Sequence, residues 1–152
     1  MKPKKMIHPN AAELGRALDK GMTLERSRRL IKRERINPKV ISALFALIAG
    51  KDVVYVVPDL EAARSRFDQI VGLMDKHADM IGDAEFKHNK PSLCMNVDDD
   101  DGGSVVFKVA NRGRGHGRFG DWLILDGLDG DDPQLLEEFV PCVLYGEGRI
   151  VE

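Results

Sequence analysis

The sequence predicts a three-layer α/β fold in which helices flank a largely parallel sheet. Residues 40–49 are apolar on nearly every side, as in a helix that is buried against a sheet. The run Val53–Val57 is continuously apolar and ends at Pro58, and such runs are typical of central strands covered on both faces. Asp59 then begins a helix with apolar residues at spacings of three and four. Helix, buried strand and helix in this order form the unit of an α/β sheet.

Further elements extend the predicted sheet. Residues 93–97 and 105–109 flank an acidic turn with two glycines, which predicts an antiparallel hairpin. Trp122–Leu125 predicts another buried strand, in which the only tryptophan is a core residue. Residues 134–140 predict a last helix after a proline, and residues 142–145 the start of one more strand.

Length and composition indicate one globular domain. The chain has 152 residues, of which 43% are hydrophobic and 32% charged, so a core can form and wholesale disorder is excluded. No apolar run approaches the ~18–20 residues of a membrane-spanning helix, and no secretory signal follows the basic start. Two cysteines, Cys94 and Cys142, are too few for a disulfide scaffold. We therefore expect a cytoplasmic protein of a host cell, without a membrane partner.

Charge is divided unevenly along the chain. Residues 1–39 hold 12 Lys and Arg against 4 Asp and Glu, whereas residues 40–152 hold 11 against 21. This division predicts a basic helical arm over residues 1–38 and an acidic α/β domain over residues 39–152.

The arm is predicted to contain helices over residues 11–20 and Leu24–Arg35. The second helix carries Arg28 and Arg29, which we interpret as candidate nucleic-acid contacts, because cations that neutralise phosphates release counterions. The alternative is a solvated helix that docks on the chain's own acidic body. A helix-turn-helix is a weaker interpretation, since the second helix has few apolar positions.

Asp126 is the strongest candidate for a functional residue. It directly follows the predicted strand Trp122–Leu125, and the carboxyl ends of parallel strands are where open α/β sheets bind ligands. In phosphate-handling folds an acid at this position holds Mg²⁺. The alternative is a strand that happens to be followed by a polar turn.

The order of these segments resembles a known family. A strand closed by Pro58, a hairpin strand Gly103-Ser104-Val105-Val106-Phe107, an Arg-Gly loop and the strand Leu123-Ile124-Leu125-Asp126 follow one another. This order resembles the ATPase domain of phage terminase large subunits and, more distantly, the first RecA-like lobe of helicases, over about residues 39–144. The resemblance implies a RecA-like sheet in which Asp126 ends the Walker B strand and organises Mg²⁺.

The resemblance also implies a degenerate catalytic site. Gly127 stands where the family has its catalytic glutamate, and Asp129 lies too far along to replace it. Lys39 stands where the family has its Walker A lysine, but Pro38 lacks an amide donor and Val40 lacks the hydroxyl that contacts Mg²⁺. We therefore expect little or no hydrolysis of ATP and no bound cofactor.

A loop rich in glycine and arginine precedes the strand of Asp126. Its three arginines, Arg112, Arg114 and Arg118, can donate paired hydrogen bonds to phosphate, and its glycines let an anion approach the backbone. We interpret it as a candidate phosphate or nucleic-acid contact. The alternative is a connector whose arginines pair with the acidic body.

Together these observations predict a non-catalytic phage or prophage protein with a terminase-like core. It would bind DNA, a protein partner such as a packaging protein, or both, in DNA packaging or a related phage process. The sequence ends soon after the helix that follows Asp126, so we do not expect an autonomous motor. The alternative is a divergent packaging or helicase-like ATPase that binds ATP and Mg²⁺ and is completed by a partner chain.

Overall fold

A single mixed sheet organises the computed structural model, which describes residues 4–5, 24–110, 120–143 and 148–151. The described strands are β1 (Lys4–Lys5), β2 (Asp52–Val57), β3 (Glu85–Asn89), β4 (Cys94–Asp98), β5 (Ser104–Val109), β6 (Trp122–Leu125) and β7 (Arg149–Val151). The described helices are α1 (Leu24–Lys32), α2 (Pro38–Ile48), α3 (Leu60–Lys76) and α4 (Pro133–Phe139), with 3₁₀ turns at Ala78–Ile81 and Val140–Cys142.

The strands lie in the order β1, β7, β6, β2, β5, β4, β3. The first five strands are parallel to one another. Strand β4 pairs antiparallel with β5, and β3 pairs antiparallel with β4. Val53 of β2 pairs with Val105 of β5 on one side and with Trp122 of β6 on the other. The predicted hairpin of β4 and β5 is confirmed, with Met95 opposite Val105.

Two separate cores cover the two faces of the sheet. Alternate residues of β2 point to opposite faces, so that Val53, Tyr55 and Val57 belong to the core under α1, α2 and α3. Val54 and Val56 belong to a smaller core that includes Phe139 of α4. All five of these strand residues are at most 1% exposed. The predicted three-layer α/β fold, with central strands buried on both faces, is confirmed.

Three helices begin at polar caps that orient them against the sheet. Asn37 caps α2 and is followed by Pro38, Asp59 caps α3, and Asp132 caps α4 ahead of Pro133. Each side chain accepts a hydrogen bond from a backbone N–H of its helix. Proline suits the first turn because the N–H that it lacks would have no acceptor within the helix. None of the described helices has the length and apolar character that crossing a bilayer requires.

The structure differs from the predicted strands in two places. Strand β3 is absent from the predictions, because its sequence is polar apart from Phe86 and it forms an exposed sheet edge. The predicted strand over residues 142–145 is wrong at its start: Cys142, buried as a small apolar side chain, ends a 3₁₀ turn, and the last strand is β7. The predicted helix over residues 11–20 lies outside the described residues.

Helix α1 ends at Lys32, three residues before its predicted end. Arg35 has a φ of 54°, in the left-handed region, and the Ile36 N–H donates to the Leu30 carbonyl at 3.0 Å. This bond spans one residue more than the six-to-one bond of a Schellman ending, and it encloses a left-handed arginine where glycine is usual. The chain is thereby turned toward the start of α2.

Parts of the predicted basic arm contact the α/β domain. Lys4–Lys5 pairs in parallel with β7, and Leu30 of α1 is 1% exposed within the larger core. The division into an arm and a domain at residue 38 stays a prediction.

The backbone of Gly103, just before β5, lies very close to the carbonyl oxygens at the end of α2 and in the turn after it. We expect Gly103→Ala to lower the free energy of unfolding by about 1–3 kcal/mol, because the new Cβ would lie 2.4 Å from the Lys51 carbonyl oxygen and 2.8 Å from that of Leu47. Gly72→Ala is the matched control, since nothing lies within 4 Å of a Cβ there, and it should be neutral or stabilising. Urea unfolding of both variants measures the difference, and equal effects would contradict the described approach.

Candidate functional site

Asp126 lies at the carboxyl end of β6, inside the sheet and 6% exposed. Its backbone N–H donates to the Val56 carbonyl at 3.0 Å, which continues the pairing of β6 with β2 by one residue. Because side chains alternate along a strand, Asp126 shares the face of Ile124 and Trp122, beneath α2 and α3. The sheet thus carries a buried carboxylate to the point where two helices meet it.

Two side chains donate to one oxygen of that carboxylate. The Tyr55 hydroxyl lies 2.5 Å from Asp126 Oδ2, and the Arg66 Nε lies 2.7 Å from the same atom. The Arg66 and Asp126 side chains are 26% and 8% exposed, so water screens this ion pair only in part. The tyrosine ring is fixed against Phe107, with ring centroids 5.0 Å apart. Asp126 is therefore held by a cation from α3 and a hydroxyl from β2.

The start of α2 faces the same carboxylate. Asn37 Nδ2 lies 3.5 Å from both Asp126 oxygens, a long contact, while Asn37 Oδ1 accepts from the Lys39 N–H at 2.9 Å. The Val40 N–H donates to the Asn37 carbonyl at 3.0 Å, and Pro38 has no N–H. The first three positions of α2 consequently offer no amide donor to a phosphate, although helix starts are ordinary anion sites.

The surroundings keep Asp126 ionised. Burial opposes its ionisation, but the hydrogen bonds from Tyr55 and Arg66 and the charges of Arg66 and Lys39 outweigh burial and hold the pKa of Asp126 below its ordinary value. Burial and the adjacent carboxylate raise the pKa of Tyr55, which remains a hydroxyl donor. The site therefore contains a stable carboxylate, and Arg66 is the cation in direct contact with it.

The residues around Asp126 do not fit a divalent metal. A metal needs carboxylate lone pairs, and Oδ2 already accepts two hydrogen bonds. A divalent cation ~4 Å from the guanidinium would be repelled by about 8 kcal/mol at an effective dielectric constant of about 20. Within the described residues, no group of three or more His, Cys, Asp or Glu side chains could hold a metal ion.

The turn after Asp126 is shaped for glycine. Gly127 has a φ of 74°, a left-handed conformation in which a glutamate would be strained by ~1–2 kcal/mol. Asp129 lies further along and lines a separate cavity of about 300 Å³ with Asp132 and Glu138. Gly127 therefore supplies no carboxylate beside Asp126, and Asp129 faces a different cavity.

The structure places the predicted site residues in different parts of the molecule, and some of them lie outside the described residues. The backbone of Lys39 lies near Asp126, since its N–H donates to Asn37 Oδ1 and Asn37 Nδ2 lies 3.5 Å from the Asp126 oxygens. Arg28 and Arg29 are exposed on α1. The loop with Arg112, Arg114 and Arg118 lies outside the described residues. All of their functional roles stay predictions.

Sequence reasoning missed three residues of the site, Asn37, Tyr55 and Arg66. The Asn37-Pro38 pair is a helix-start signal that could have been found, because asparagine caps and proline follows. Tyr55 sits in a strand read only as apolar. Arg66 carries no local signal, since its partner Asp126 is sixty residues away.

The fold is similar to that of a phage large terminase ATPase domain. Two solved structures match, one of the ATPase domain of the Thermus phage P74-26 large terminase and one of an arginine-to-alanine mutant of that domain. In each case the TM-score is 0.63, the identity is 20%, and the match covers 82% of this chain and 56% of the other. The chain thus spans little more than half of that domain. The expected likeness to a terminase ATPase fold is confirmed.

Two further comparisons found no match. No protein-family model matches the sequence. No curated protein matches it either.

The hydroxyl of Tyr55 can be tested separately from its ring. We expect Tyr55→Phe to lower the free energy of unfolding by about 1.5–3 kcal/mol at neutral pH, because Asp126 loses a hydrogen bond to its charged form while the ring can still pack. The folded pKa of Asp126 is lowered, so its contribution is complete above the unfolded pKa and is lost as pH falls through the folded pKa.

The difference between wild type and Tyr55→Phe should accordingly shrink on acidification. Urea unfolding from neutral to acidic pH measures it, and Phe107→Leu is a control that perturbs the ring contact but leaves the hydroxyl. A constant difference at all pH values would contradict the described bond.

Proposed function

We propose that this chain is a non-hydrolysing module derived from a phage packaging ATPase, which binds DNA through α1 in DNA packaging or a related phage process. The absence of hydrolysis is supported by one observation above all: the carboxylate that ends β6 is neutralised by Arg66. The capped start of α2 supports it further, because the amides of a phosphate cradle are used within the chain. We expect no resident cofactor.

DNA binding is supported by a basic face that α1 forms with the first residue after it, and which consists of Arg28, Arg29, Lys32 and Arg33. These side chains are exposed and lie at spacings of three and four, so they share one helix face, opposite the buried Leu30. An ion pair on this face joins Arg29 to Glu25 at 3.9 Å, with both side chains more than half exposed. So exposed a pair is weak and leaves the arginine available to phosphate.

The salt dependence of binding tests this proposal. Four phosphate contacts on duplex DNA predict that log K falls with log salt with a slope of about −3 to −4. Arg28→Ala with Arg29→Ala should make the slope less negative by about 2, because two contacts are removed. Fluorescence anisotropy with a labelled duplex at several salt concentrations measures both slopes.

The matched control is Lys87→Ala with Lys90→Ala. These exposed lysines lie on and just after the edge strand β3 and are ion-paired with Asp98 and Asp68. Their replacement should leave the slope unchanged. Equal slopes for wild type and the Arg28/Arg29 double variant would contradict the proposal, and absence of DNA binding would favour a protein partner.

A second candidate is a divergent ATPase that a partner chain completes. It is favoured by the position of Lys39 in the first turn of a helix whose cap, Asn37, lies 3.5 Å from the Asp126 carboxylate.

Mg²⁺ and ATP separate the two candidates. We expect no thermal stabilisation by Mg²⁺-ATP and no phosphate release, because Arg66 competes with the metal and the amides at the start of α2 are engaged. Differential scanning fluorimetry and a phosphate-release assay measure these outcomes. Turnover that Asp126→Ala abolishes would establish the enzyme.

A further inference from the structure

We propose that Arg66 is the resident cation of the Asp126 site and takes the place that a divalent metal ion would need. The inference rests on the non-hydrolysing half of the proposed function and is independent of DNA binding. In this role Arg66 positions the Asp126 carboxylate and excludes a divalent metal ion from it, and no sequence motif indicates this. The inference also implies that a latent divalent-cation site lies beneath the arginine.

The contact geometry makes Arg66 an integral part of the site. Its Nε donates to Asp126 Oδ2 at 2.7 Å, and its side chain is only 26% exposed, although it extends from the helix α3. Arg64, two residues earlier on the same helix, is exposed to solvent. The helix therefore directs one arginine into the site and leaves another in solvent.

Without the guanidinium, the site would offer the Asp126 carboxylate to a hard cation. Asp126 Oδ2 accepts from the Tyr55 hydroxyl at 2.5 Å, and Asn37 Nδ2 lies 3.5 Å from both Asp126 oxygens. Hard divalent cations take oxygen ligands and keep several waters. A carboxylate that is 8% exposed and has lost its cation must take up either a proton or another cation.

Arg66 and a metal ion cannot share the carboxylate. Tyr55 and Arg66 both donate to Oδ2, and a metal ion on either oxygen of this carboxylate would be repelled by the guanidinium charge in a poorly solvated space. Wild-type protein should consequently be indifferent to divalent cations at this site. Replacement of Arg66 should make the same site responsive to them.

The experiment compares thermal unfolding with and without millimolar Mn²⁺ in four proteins. Arg66→Met removes the charge and keeps an unbranched side chain, and Arg64→Met is the matched control on the same helix. The double variant Arg66→Met with Asp126→Asn removes the carboxylate as well. We expect Mn²⁺ to raise the melting temperature of Arg66→Met by about 2–4 °C more than that of wild type, Arg64→Met or the double variant.

Two results would overturn the inference. One is an equal Mn²⁺ response in wild type and in Arg66→Met, and the other is a folded Arg66→Met protein without a response.

A measurement on the wild type covers the case in which Arg66→Met does not fold. Paramagnetic broadening of the Tyr55 ring resonances by Mn²⁺ reports metal at Asp126. We expect no such broadening beyond that of the Asp126→Asn variant, and broadening specific to the wild type would overturn the inference. Phosphate release from ATP by the wild type is measured separately, so the failure of this inference and the failure of the non-hydrolysing proposal are distinguishable.

Discussion

The ion pair between Arg66 and Asp126 is the constraint on which the rest of the site depends. A carboxylate this deeply buried is costly unless a cation and hydrogen-bond donors compensate it, and removal of one partner of a buried pair costs about 3–5 kcal/mol. Arg66 is 26% exposed, so solvent reduces that figure here. The pair joins α3 to the end of β6, Tyr55 adds β2, and Asn37 brings in the start of α2. Four elements are thus fixed around one charged group.

This arrangement is the basis of the proposal that a fold similar to a terminase ATPase domain does not hydrolyse nucleotide here. The sheet still presents an acid at the carboxyl end of an inner strand, and a lysine still begins the adjacent helix. The carboxylate is neutralised by an arginine, the helix amides are capped by Asn37, and a left-handed glycine follows the acid. Scaffold and chemistry are therefore separable, because burial of apolar faces maintains the first and a few polar contacts determine the second.

The parts of the fold that were predictable from sequence are those with local signals. The continuous apolar runs of β2 and β6 follow from burial on both faces, and the caps of α3 and α4 follow from acids before helical patterns. The edge strand β3 escaped prediction, because its conformation depends on pairing with β4 and not on its own polar sequence. A tertiary pairing of this kind leaves no periodic pattern.

The candidate site was predictable only in its outline. Asp126 could be found because an acid directly follows an apolar strand, and Lys39 because it begins a buried helix. Arg66 could not be found, since many arginines occur on the exposed faces of helices and only the tertiary structure brings this one to Asp126. The difference between an open metal site and a neutralised carboxylate is therefore a long-range property of the chain.

The most direct test of the neutralisation of Asp126 by Arg66 is ¹³C NMR of the Asp126 carboxyl carbon. The chemical shift is followed as a function of pH in the wild-type protein, with and without Mg²⁺. The account predicts a pKa below the ordinary range of aspartate and a chemical shift at neutral pH that Mg²⁺ does not change. An ordinary or raised pKa, or a shift that moves with millimolar Mg²⁺, would contradict it.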